Sequence, residues 1–90
     1  MFRTTPPNYA VHFPFKKEQS INIHMFFVFF KLDIVWIDEK ETITCIKTLK
    51  PFTHHTHSAK DVLELPAGWC KQHKIDEQDK IPRKIYNTKE

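Results

Sequence analysis

Asp61-Val62-Leu63-Glu64-Leu65-Pro66-Ala67-Gly68 (DVLELPAG) is a short apolar stretch that runs into a proline and a glycine, and the rest of the chain is read against it. Asp61 to Leu65 has the length and flanking signals of a strand. Pro66 suits a first helical turn, because its missing N–H has no intrahelical partner there, so a helix is expected from Pro66 to about Lys74. A helix that short cannot persist alone in water, so Trp69, His73 and Ile75 must dock it on a sheet. Two β-hairpins folded against the 61–65 strand would supply that sheet.

Upstream, Asp33–Asp38 (DIVWID) and Ile43–Thr48 (ITCIKT) flank a turn at Asp38–Glu41 and form one hairpin. From Ser20 the pattern has period two, with Ile21, Ile23, Met25, Phe27 and Phe29 on one side and Asn22 and His24 on the other. Phe26, Val28 and Phe30 then make both sides apolar, which predicts a strand that ends buried on both faces. Ala10–Phe15 reads as a further short strand, with Pro14 at an edge or a bulge, and Lys16–Gln19 as a hairpin loop. Leu49–Lys60 contains Pro51 and several histidines without a consistent period and is expected to be a loop of about a dozen residues. Met1–Pro7 reads as an irregular arm, Lys80–Tyr86 as a last short strand and Asn87–Glu90 as a frayed end. The expected architecture is a single domain, 1–90, of the mainly β (α+β) class: a small barrel-like antiparallel or mixed sheet with one short helix after LELPAG.

The chain is 40% hydrophobic and 28% charged, which argues for a folded globule rather than disorder. Its net charge of +3 comes from dispersed residues with no long run of one sign, so no basic stripe for nucleic acid is present. MFFVFF, Met25–Phe30, lacks interleaved Lys or Arg, which favours packing over base stacking. That run is also far too short to span a bilayer, and no segment has the layout of a signal peptide. Cys45 and Cys70 match no CxxC motif or disulfide scaffold and read as free thiols, hence a cytoplasmic protein with no membrane partner.

The stretches DIVWIDEKETITCIKTLKP and DVLELPAG, in this order, together with the opening MFRTTPPNYAVHFPF, resemble the domain of unknown function 192 family of small uncharacterised microbial proteins. The similarity covers about Met1 to Ile81. It implies a mostly β domain with one short helix and implies no established reaction. Family members usually carry an additional strand before the M-[FY]-R start, so one sheet edge is expected to be open here or covered by a second chain, as in a homodimer. Phe26, Phe27 and Val28 stand where the family commonly has Lys-Asn-Thr, and Lys74 and Gln78 stand where it has glycines after the helix. With one glycine in the chain, left-handed turns must be made by other residue types, at about 1 kcal/mol each.

Several residues carry possible chemistry. His54, His55 and His57 with Cys45 or Cys70 offer the nitrogen and sulfur donors of a zinc site. Adjacent histidines diverge in an extended chain, so at most two of the three converge, and a solvated polar loop is the plainer reading. Cys70 and His73 lie one turn apart on the expected helix and share a face, although the resemblance places His73 at a position that is normally a core leucine. Asp33, between two buried stretches, should be paired or bonded to backbone N–H groups. It either holds the loop before Pro51 in place or lines a pocket with Lys50 and a histidine; Lys31 and Lys50 are its candidate partners. No nucleophile elbow organises the cysteines, histidines and Asp33 into a triad. The sequence therefore assigns no reaction. The reading it favours is a noncatalytic binding or interaction module for an unknown protein or small-molecule partner, with a working surface at Asp33, Lys50, Pro51, His54, His57, Pro66 and Gly68. The alternatives are a zinc protein using His54, His57, Cys45, Cys70 or His73, and a small enzyme with a pocket near Asp33 and Lys50. No other cofactor is implied.

Overall fold

In the computed structural model, which describes residues 10–26 and 28–82, the strands are β1 (Val11–His24), β2 (Leu32–Ile37), β3 (Ile43–Leu49) and β4 (His54–Pro66), followed by α1 (Trp69–Gln72). They form one antiparallel sheet in the order β1-β4-β2-β3. The DVLELP segment is central, as its sequence predicts: it pairs with β2 on one side while Val11–Pro14 of β1 pair with Asp61–Glu64 on the other. All six residues of β2 are buried, as expected of an unbroken apolar strand covered on both faces.

Residues directly opposite in antiparallel strands share a face. One face carries Leu32, Ile34 and Trp36 of β2, Cys45 and Leu49 of β3, and Ala59 and Val62 of β4, packed with Ile21, Met25 and Val28. The other carries Val35, Ile37, Ile43, Leu63 and Leu65, covered by Cys70, Trp69, Ile75 and Ile81. The sheet does not close, so the barrel-like expectation is corrected to an open four-stranded sheet. β1 and β3 are its outer strands; backbone groups of Ile43 bond Gln78 and Asp79, and Thr42 bridges Lys80, so the chain after α1 shields the start of β3.

Four expected boundaries move. Lys16–Gln19 is not a hairpin loop: Ala10–Phe15 and Ser20–His24 belong to one long strand, because both halves pair with β4, and the Pro14-to-Gln19 stretch is absorbed as a register shift. That strand ends at His24, short of the phenylalanine run. Met25 and Val28 are buried, but Phe26 (61% exposed) and Phe29 (45%) point outward. Leu49–Lys60 is not a loop, because residues 54–60 extend β4 and only Lys50–Thr53 turn. The helix shrinks to Trp69–Gln72, since Pro66 is held in β4 opposite Leu32 and Gly68 adopts φ 87° immediately before the first helical residue.

Lys74 ends the helical turn at φ 57°, and Glu41, Phe52 and Gln78 also take positive φ. Left-handed turns are thus built from residues other than glycine, as the composition predicts. Of the expected strand Lys80–Tyr86, Lys80 makes the single bridge to Thr42, and residues 83–86 lie outside the described region, as do the arm Met1–Pro7 and the end Asn87–Glu90.

Candidate functional site

Two groups of reactive side chains occupy opposite faces of the sheet. The first forms because β4 outruns β2. Only Asp61–Pro66 pair with β2, so His54–Lys60 project beyond it, pair with Gln19–His24 of β1, and curl toward β3, where the Thr44 hydroxyl reaches the Ser58 carbonyl at 3.4 Å. Strand alternation then sorts the histidines. His55 and His57 turn inward opposite Ile23 and Ile21, while His54 is exposed on the other side, 3.2 Å from the Asn22 side-chain nitrogen.

Cys45 of β3 meets the inward pair. Its Sγ lies 3.7 Å from His55 Nε2, and one ligand atom from each of Cys45, His55 and His57 lies within 4.8 Å of the others. Trp36 backs the cluster, with its ring edge-on to His55 at 5.3 Å and to His57 at 6.4 Å and its Nε1–H donated to the Ile21 carbonyl at 3.2 Å. Burial pushes the Cys45 thiol up, with Glu77 adding to the shift and Lys47 opposing it. Of the expected donors, Cys45, His55 and His57 lie together, whereas His54, Cys70 and His73 stand elsewhere. His73 is exposed, stacked on Trp69 at 4.0 Å with its Nδ1 2.9 Å from the Trp69 carbonyl oxygen, and takes no half-buried packing position.

The second group surrounds Asp33, which is 2% exposed. Its Oδ1 accepts the Thr48 hydroxyl at 2.7 Å and its Oδ2 accepts the Cys70 backbone N–H at 3.0 Å. The carboxylate thus ties β2 to β3 and to the first turn of α1, rather than to the loop before Pro51. Burial first, then the charge of Asp33 and a hydrogen bond to it, push the Cys70 thiol up to about 12. An open cleft of about 1190 Å³ runs beside this corner, lined by Asp33, Thr48, Gly68 and Cys70 and by Lys31, Lys71 and Lys74 among others. Lys50, Pro51 and Pro66 do not line it. Lys50 is exposed, and its carbonyl accepts the Thr53 N–H and hydroxyl at 3.2 and 2.6 Å.

A further buried pair had no local sequence signal: His12 Nε2–H donates to Asp61 Oδ1 at 2.8 Å across the β1–β4 ladder. His55 did have one. In HHTHSA, reading His-Thr-His as strand alternation rather than loop places His55 and His57 on one face.

Residues 1–82 match the model of the domain of unknown function 192 family, described as "Uncharacterized ACR". A UPF0127 protein of Pyrococcus abyssi is 31% identical over 89% of this chain and 72% of its own length. UPF0127 proteins of Thermococcus gammatolerans and Thermococcus kodakarensis are each 30% identical, over 92% and 82% of this chain. The chain spans only 57% and 50% of those two relatives. A Sinorhizobium meliloti crystal structure described as a "putative transcription regulator" superposes with a TM-score of 0.74 at 23% identity, over 84% of this chain and 63% of that one, a likeness of fold.

Proposed function

This chain belongs to the domain of unknown function 192 family, and from that premise we propose that it is a noncatalytic binding module whose ligand site is the cleft beside Asp33, suited to a small anionic ligand. The observation that carries this reading is the commitment of Asp33, the one buried carboxylate among the described residues that line the cleft. Both Asp33 oxygens are taken by donors of the protein itself, so it fixes the wall rather than acting as a general base. Cys70, raised to about 12, is a thiol and not a nucleophilic thiolate at neutral pH. Around these inert groups Lys31, Lys71 and Lys74 are exposed at the rim. On the acidic side, Glu77 Oε2 already accepts the Ile46 N–H at 3.0 Å, and Asp76 also lines the cleft. The remaining chemistry is hydrogen bonding and cationic attraction, which recognises a ligand without transforming it.

Among the described residues no helix is long and apolar enough to cross a membrane. Work in the cytosol is part of the proposal, supported by the two free thiols.

A thermal-shift panel of small carboxylates and phosphates, run on wild type and on Lys71→Glu/Lys74→Glu, tests the reading. The expected result is stabilisation of wild type by at least one anion and its loss in the double variant. Equal shifts in both proteins, or none across the panel, would remove the cleft as an anion site.

A further inference from the structure

We propose that Cys45, His55 and His57 bind a divalent cation of the zinc class on the Trp36 face of the sheet, at a site separate from the Asp33 cleft. One thiol and two imidazoles form a donor set that zinc and its borderline-soft neighbours prefer and that magnesium and calcium do not. The donors come from two strands of a rigid sheet, with His55 and His57 at alternating positions of β4 and Cys45 on β3.

Spacing fits the chemistry. Zinc bonds of about 2.1 Å to nitrogen and about 2.3 Å to sulfur, at a tetrahedral angle, put the nitrogen and sulfur about 3.6 Å apart. Cys45 Sγ and His55 Nε2 stand at 3.7 Å. The widest separation in the trio, within 4.8 Å, closes by small rotations of half-buried rings. Trp36, anchored to the Ile21 carbonyl, limits where those rings can turn.

The surroundings also call for an occupant. Cys45 is 4% exposed, and Trp36, Ile21 and Ile23 make the neighbourhood apolar, so two imidazoles and a thiol here give up water for few partners. A bound cation would turn that cost into coordination, with the Cys45 proton released to solvent as the thiolate–metal bond forms. Three protein ligands leave a fourth position for water or another small donor, the arrangement of exchangeable zinc rather than of a closed structural site.

The test is zinc titration of the untagged, metal-free full chain against a chromophoric chelator, with cobalt as a spectroscopic reporter. One ion per chain is expected, with a sulfur-to-cobalt charge-transfer band. Loss of an outer-shell partner alone weakens metal sites by about 10–100-fold, so Cys45→Ser and His57→Gln should each weaken zinc by at least about 100-fold, and Cys45→Ser should abolish the band. His54→Gln and Cys70→Ser, which alter a histidine on the opposite side and a thiol on the other face, should bind as wild type does. Circular dichroism confirms that each variant is folded; His57→Gln, at a half-exposed position, carries the test if Cys45→Ser is not. Failure of the wild-type chain to compete with the chelator would overturn the proposal. So would binding that survives His57→Gln or disappears in His54→Gln.

Discussion

Cys45 and Cys70 are equally buried, at 4% exposure each, yet they lie on opposite faces of one sheet in opposite company. Cys70 faces a carboxylate, and burial with that negative charge keeps its proton on until about pH 12. Cys45 faces two imidazoles, those of His55 and His57. Burial is the first cause that raises both thiols, and what separates them is the neighbouring charge, with Asp33 beside Cys70 and the opposed Glu77 and Lys47 near Cys45.

The largest effect that separates the corners should come from Asp33→Ala. The buried Cys70 N–H would lose its acceptor and the Thr48 hydroxyl, at an exposed strand position, its partner, at a cost of about 2 kcal/mol in urea unfolding. His57→Gln in metal-free protein should cost less than about 1 kcal/mol, and a larger loss there would show that the imidazole cluster is itself structural.

Alkaline pH probes the same contrast. In the unfolded chain the Cys70 thiol ionises near its ordinary value of 9.0, whereas in the fold it holds its proton to about 12. Between these values the folded state binds more protons, so stability is full below about pH 9 and falls as pH rises toward 12. Cys70→Ala should remove most of that slope. Cys45→Ala should remove less, its thiol being raised without reaching that extreme, and identical slopes for the two variants would erase the distinction.

Chemical labelling gives a finer reading. Iodoacetamide at mildly alkaline pH should modify Cys45 before Cys70, as peptide mapping would show, because the Cys70 thiolate is the scarcer.

A small effect is expected at Gly68, where φ is 87° and nothing stands within 4 Å of an added Cβ. Gly68→Ala should cost only the left-handed backbone penalty, about 1 kcal/mol, and leave the Asp33 corner intact. A loss as large as that of Asp33→Ala would mean that this turn, and not the carboxylate, holds the corner.

Where side-chain pattern and backbone demand agreed, the sequence was readable. DIVWID and ITCIKT became β2 and β3 within a residue or so of their expected ends, and DVLEL became the centre of the sheet. Asp33 was legible as a buried carboxylate needing donors, but its partners were not, since Cys70 is distant in the chain and the N–H it offers carries no sequence signature. The histidine stretch misled for a physical reason. A segment with one solvated face and one face of imidazoles shows no hydrophobic period, yet its backbone pairs with β1 all the same. Pro66 misled in the opposite direction, because a proline suited to begin a helix serves equally to end a strand, and pairing opposite Leu32 decided between them.

The place of β4 also bears on the birth of the molecule. It is the last strand in the described order and the one on which both β1 and β2 depend, so no pair of earlier strands apart from the β2–β3 hairpin can find its native neighbour until residue 66 has left the ribosome. At roughly 5–20 residues per second, the MFFVFF segment waits a few seconds in the open, with high strand propensity and no charge, before its surroundings exist. Yield in the cell should accordingly depend on nascent-chain chaperones and on translation speed through the LELPAG codons more than on the equilibrium stability of the finished sheet.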